Sequence, residues 1–199
     1  LTANTTADNN TAVGKGAADA NTTGASLVAI GVNALGANTT ADANTAVGAE
    51  ALAANTTGYG NTAVGSLAGD AITTGNNNTT MGRASLSTCT TGASNAAIGL
   101  SALEGVTTGD ANTAVGSNAG GSVTSGSNNM FLGKDSGLTG SPGGQQTTSS
   151  DRIALGDENI TNCHIQADWT VASDERDKTD FTALDLGLDF VKALAPVTY

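Results

Sequence analysis

The sequence predicts an all-β fold, a repetitive β-solenoid or β-roll of 17-residue coils, and three observations carry that prediction. One glycine recurs every 17 positions without a slip, at Gly14, Gly31, Gly48, Gly65, Gly82, Gly99, Gly116 and Gly133. A fixed period of this size means stacked supersecondary units. The residues just before the glycine keep their character too. The nearest is always large and apolar (Val13, Ile30, Val47, Val64, Met81, Ile98, Val115, Leu132), and the one before it is nearly always alanine. Finally, 17 residues cannot hold two helices and their turns, and the remaining slots are rich in Thr, Asn and Gly, which are poor helix formers. Short β segments turning at Gly and Asn fit instead, with coils about 4.8 Å apart and a rod of roughly 40 Å.

Neighbouring strand residues point to opposite faces. The aliphatic column is therefore expected to form a thin core. The alanine column beside the glycines would then lie open to close approach by other chains. That arrangement favours a parallel homotrimer joined through the alanine–glycine face, the alternative being a monomer that exposes it. A second, interrupted apolar column follows four residues after the glycine, at Leu35, Leu52, Leu86 and Leu103. Next comes an Asn-Thr-Thr-Gly corner (21–24, 55–58), whose glycine suits a positive φ. Asn44, Asn61, Asn78, Asn95, Asn112 and Asn129 open the following coil, and repeated Asn and Thr slots are expected to stack as polar ladders. The residues after each anchor glycine, among them Lys15, Arg83 and Lys134, are expected to face solvent as a candidate contact column.

In chain order, residues 1–140 form the shaft, and because Leu1 falls inside a repeat the array is expected to continue upstream. Residues 141–172 hold an insertion and a β-rich neck. The stretch Ser141 to Gln146 (SPGGQQ) adds a Pro-Gly-Gly loop, and Arg152-Ile-Ala-Leu-Gly156 restores the motif 23 positions after Gly133. A loop of that composition reads as a bulged cap, a receptor-facing loop or a tolerated surface insertion. The neck has Ile160, Ile165 and Trp169 as its bulky anchors, and its His164 has no partners for a catalytic or metal role. Residues 173–199 change register: Leu184, Leu188, Val191 and Ala195 have the spacing of an amphipathic helix. Thr182 and Asp185 supply a capping box, and Pro196 is the stop.

Composition excludes several functions. A net charge of −11 opposes nucleic-acid binding, and no apolar run approaches membrane-spanning length. Cys89 and Cys163 have no disulfide or metal spacing and read as small apolar fillers, so neither a metal nor a cofactor is expected. Asn21, Asn38 and Asn55 sit in glycosylation sequons but are corner residues first. A glycosidase would need an aromatic groove or paired carboxylates recurring across coils, and the sequence has neither.

The segment SDERDKTDFTALDLGLDFVKALAPVTY resembles the opening of the C-terminal intramolecular chaperone, auto-processing domain of phage tail fibres and endosialidase tailspikes. Ser173, Asp174, Arg176, Lys178, Gly187-Leu188, Phe190, Leu194, Pro196-Val197 and Tyr199 carry the resemblance. The upstream ALGDENITNCHI and the 17-residue units are similar to segments of such fibres. The units are more loosely similar to head repeats of trimeric autotransporter adhesins. The resemblance implies an α/β domain, here truncated to its first helix, that trimerises, aligns three chains and then cuts itself off. It also implies Ser173 as nucleophile and Ala172–Ser173 as the cleaved bond. A serine hydroxyl needs a neighbour to take its proton, and a lysine can do so if burial or nearby cations lower its pKa. Lys178 is the expected base, supported by Asp174 and Arg176.

The expected role is thus a virion fibre segment that reaches or binds a host surface receptor, glycan or protein, alongside other tail components. The alternative is a bacterial surface adhesin with the same repeats and chaperone. An ice-binding solenoid is a third class, but such faces use Thr-x-Thr rows and the threonines here are adjacent, apart from Thr88-Cys-Thr90.

Overall fold

The computed structural model describes residues 1–141 and 143–162. Nine three-residue strands form one parallel sheet in sequence order: β1 (Thr11–Val13), β2 (Val28–Ile30), β3 (Thr45–Val47), β4 (Thr62–Val64), β5 (Thr79–Met81), β6 (Ala96–Ile98), β7 (Thr113–Val115), β8 (Met130–Leu132) and β9 (Ile153–Leu155). The molecule is the expected β-solenoid. Every residue of β1 to β7 pairs with the one 17 positions later, as Ala46 does with Ala63, and β8 pairs with β9 across 23 positions. The insertion therefore bulges from one coil without shifting the register. Its root is pinned internally: the Gly137 amide donates to Ser141 Oγ at 2.8 Å, and Ser141 Oγ donates to the Gly156 carbonyl at 2.9 Å.

Strands make up a minor part of each coil, yet the turns are bonded between coils as well. The Leu35 amide donates to the Ala51 carbonyl at 3.0 Å and the Thr22 amide to the Thr39 carbonyl at 2.9 Å. The anchor glycine follows from backbone conformation and from space. Gly65 has φ +135°, and a Cβ there would lie 2.6 Å from the carbonyl oxygen of Gly82 in the next coil. The corner glycine differs from expectation. Gly58 does not have a positive φ; it is glycine because a Cβ would run into the Gly75 carbonyl oxygen.

The two faces of the strands are also the reverse of what was expected. The alanines Ala29, Ala46, Ala63, Ala97 and Ala114 are fully buried inside the solenoid, while Val13, Met81 and Val115 are 58%, 47% and 41% exposed on its outside. The alanine–glycine face is thus the core wall of the single chain and cannot also be a contact between chains. The reason is the width of the coil. In the coils of β2, β3, β5 and β6, Leu35, Leu52, Leu86 and Leu103 fill the interior from the turn with no exposure. They do so from left-handed backbone, φ between 50° and 53°, a conformation that is uncommon for a bulky residue. With leucine filling the interior from one side, the strand can offer only a methyl group from the other.

The helix expected in residues 173–199 and the neck residues Ile165 and Trp169 lie outside the described residues.

Candidate functional site

The proposed auto-processing residues Ser173, Asp174, Arg176 and Lys178, the cleavage bond Ala172–Ser173, and His164 and Cys163 all lie outside the described residues. What can be built from the residues upward is the shaft, its internal ladders and its surfaces.

Two asparagine ladders run inside the coils. Asn44, Asn61, Asn78, Asn95, Asn112 and Asn129 are buried. Each successive amide N–H is met by the Oδ1 of the preceding member, at 2.8 Å for Asn61 on Asn44 and 2.9 Å for Asn95 on Asn78. Their Nδ2 groups close the coil onto corner carbonyls, as Asn78 does on Gly92 at 2.9 Å. Buried polar groups cost free energy unless paired, and this geometry pairs them along the stack. The second ladder is short. Asn38 donates to Asn21 Oδ1 at 2.9 Å and Asn55 to Asn38 Oδ1 at 3.0 Å, after which Ile72, Cys89, Val106 and Val123 take the slot. With no donor in the next coil, Asn55 Oδ1 is buried without a partner. Cys89 is a filler as expected; burial pushes its thiol up to about 11, far from a reactive thiolate. The sequon asparagines Asn21, Asn38 and Asn55 are fully buried.

The adjacent threonines of each corner have different roles. Thr22, Thr39, Thr56 and Thr73 each donate Oγ1 to the carbonyl of the same residue one coil on, at 2.9, 3.2, 3.1 and 3.0 Å. Their neighbours Thr23, Thr40, Thr57 and Thr74 face water. In these four coils one exposed threonine column remains; at Thr90-Thr91 and Thr107-Thr108 both are exposed, but as adjacent residues and not as the Thr-x-Thr rows of an ice-binding face.

Outside the coils, the column after the anchor glycine is exposed at Lys15, Val32, Ala49, Ser66, Arg83, Leu100 and Lys134 and half-buried at Ser117, as expected. Where the insertion breaks the regular surface, Ser122, Lys134, Asp135, Leu138, Thr139, Asp157, Glu158 and Asn159 line an open cleft of about 510 Å³. Three of its charges, Lys134, Asp135 and Asp157, are already engaged. The Lys134 ammonium pairs with Asp135, which also accepts from Asn118 Nδ2 at 2.9 Å. These bonds, Lys134 first and Asn118 second, hold the Asp135 carboxyl below the usual carboxylate range, and Asn159 lowers Asp157 in the same way. No group of three or more His, Cys, Asp or Glu side chains with metal-binding geometry occurs among the described residues.

Comparison with protein-family models, with curated proteins and with solved structures gave no match. The fold therefore stands on its own geometry. The feature that sequence reasoning missed is the aliphatic column on the outer face. A signal for it was present: in Thr45-Ala-Val47 and Thr62-Ala-Val64 the valine shares its face with a threonine two residues earlier.

Proposed function

We propose that this chain is the shaft of an extended extracellular fibre of the phage tail fibre kind, which reaches or binds a host cell surface. In this reading it assembles as a homotrimer with the help of a self-cleaving C-terminal chaperone. The observation that carries the shaft role is the continuity of bonding between coils. Strand pairing, the threonine carbonyl bonds and the asparagine ladder repeat from coil to coil with little variation. Such a stack resists bending and spaces what lies at its ends. The candidate contact surface on it is the insertion loop. The chaperone role rests on the resemblance of residues 173–199, where Ser173 would attack the Ala172 carbonyl as Lys178 accepts its proton.

Intact-mass measurement tests this reading in a gene product that carries the complete chaperone. The wild-type chain is expected to be cut at Ala172–Ser173, while Ser173→Ala and Lys178→Ala remain uncut. A wild-type chain left whole, or a Ser173→Ala chain cut normally, overturns the auto-processing role and leaves a β-solenoid rod alone.

A further inference from the structure

We infer that the outer face of the strands is the surface through which copies of this chain join side by side, three around a common axis and all pointing the same way. This deepens the fibre reading above by naming the face that assembles. The face is an apolar stripe along the rod, from Val13 at one end through Met81 to Leu132 and Leu155, each at least 37% exposed, with Val47 and Val64 half-buried. No strand residue in it is charged, although the whole chain carries a net charge of −11. The carboxylates of the shaft are held in the turns, so this is the lane along which like-charged chains can approach.

What covers the stripe must match nine apolar rungs about 4.8 Å apart. A second copy of the same chain has that spacing by construction. Charge fixes the direction. On the side where the chain leaves the strands stand Lys15, Arg83 and Lys134, with Glu50 and Asp135 one residue further along. On the side where it enters stand Asp8, Asp42, Asp110 and Asp151, with Arg152 beside β9. An axis parallel to the rod brings the exit side of one copy against the entry side of the next, basic column to acidic column. Lys15 then shares a level with Asp8 of the same coil; Lys134, which also pairs with Asp135, lies between the levels of Asp110 and Asp151, and Arg83 has no entry-side carboxylate in its own or adjacent coils. An antiparallel pairing would set acid against acid.

The number three is that of the fibre reading, and the bare face alone is too small to set it. Nine strands of three residues make a face of roughly 40 by 10 Å. Two such faces together would remove roughly 800 Å² from water, short of the roughly 1,200–2,000 Å² of a stable pair. Three faces closing on one axis share their surface among three contacts of roughly 400 Å² each, so the flanking columns have to supply the rest of each contact.

The test is sedimentation equilibrium of the full chain beside two double variants. Val64→Lys with Ile98→Lys charges the stripe, and Thr57→Lys with Thr91→Lys charges the exposed threonine column as a control. Wild type and control are expected at three times the chain mass, and the stripe variant at the mass of one chain with an unchanged β circular-dichroism spectrum. Should that variant fail to fold, Val13→Cys in a Cys163→Ser background provides a second readout. Oxidation should link Val13→Cys chains to one another, because only parallel copies bring that end of the stripe to itself. A trimeric wild type whose stripe variant stays trimeric, or an absence of Val13→Cys links, overturns this face and leaves the fibre reading intact. A monomeric wild type overturns both the face and the homotrimer in that reading.

Discussion

Phe131 occupies the inward strand position that alanine holds in most coils, and Gly137 stands in its own coil where others carry leucine. A Cβ on Gly137 would lie 2.5 Å from Phe131 Cδ1, and one on Gly120 in the preceding coil would lie 2.7 Å from Phe131 Cδ2. The interior thus conserves volume across columns, not within them. Ile72 shows the same trade: it replaces the ladder asparagine where Gly69 replaces leucine, and a Cβ on Gly69 would meet Ile72 Cδ1 at 2.9 Å.

Gly120→Leu restores the residue found at Leu103 and Leu86, at a φ of +63° close to theirs, and adds clashes with Phe131 Cδ2 and Leu103 Cδ2, each 2.7 Å from the new Cβ, of which the leucine end is the more able to give way. The variant is expected to lose about 1–3 kcal/mol of stability. Adding Phe131→Ala should recover much of that loss, giving a favourable coupling of about 0.5–3 kcal/mol in a double-mutant cycle from urea denaturation. Additive effects would show that the two columns do not share one space.

The reversal of the strand faces has its own test. Ala63→Leu places three extra carbons inside a full coil and is expected to cost about 1–3 kcal/mol. Val64→Thr changes one methyl to a hydroxyl on the outer face and is expected to leave the monomer's stability within about 0.5 kcal/mol. Urea titrations at dilutions low enough to keep the chains apart would compare them. Equal losses would return the valine column to the core.

Threonine-to-valine substitution is expected to change sign with position. Thr73 Oγ1 donates to the Thr90 carbonyl, so Thr73→Val should cost about 0.5–1.5 kcal/mol. Thr80 sits in the alanine column, and its Oγ1 is buried without a partner. Thr80→Val keeps the shape and removes the stranded hydroxyl, for an expected gain of about 1 kcal/mol. Thermal melts of the two variants decide this, and a destabilised Thr80→Val would point to a partner for that hydroxyl.

Asp70 is pushed above its ordinary value by burial, then by the nearby Glu50 carboxylate, against backbone hydrogen bonds that lower it. One of its oxygens is buried without a partner. With the folded pKa raised, the native chain holds this proton at a pH where the unfolded chain has released it. Its contribution to stability therefore falls as pH rises through that interval. Ala53 and Ser87 occupy the same slot in the adjacent coils, so Asp70→Ala fits the backbone. The variant is expected to melt higher than wild type at pH 7, with the advantage shrinking as pH falls through the raised pKa and gone below about pH 3.9. A constant difference across pH would remove titration as the cause.

The period of Gly48 and its equivalents made the coil legible, because a position that is both left-handed and crowded by the next carbonyl accepts only glycine. The asparagine and threonine ladders were legible for a related reason: a side chain that bonds to its own copy must recur in every coil. The side of the sheet that faces inward was not. Hydrophobicity favours burying Val47 over Ala46, and only Leu52, contributed by the opposite turn, reverses the choice. That leucine holds a backbone conformation which its residue type does not announce. The corner glycine at Gly58 was legible as glycine but not for its reason, since crowding by a neighbouring coil leaves no local mark in the sequence.

The register that passes undisturbed through the 23-residue coil carries a consequence for how such a molecule changes over generations. Each residue's partners lie one unit away, so length behaves as a count of interchangeable modules. Removing Asn44 to Gly60 would leave Asn38 in the place Asn55 now holds, facing Ile72 with the same unpaired oxygen. The rod would shorten by one step of about 4.8 Å with nothing else rearranged. Removing sixteen residues would leave one coil a residue short, with its own inward residues pulled off their columns. Recombination between units can therefore tune reach in discrete increments, while most other deletions are eliminated by the core.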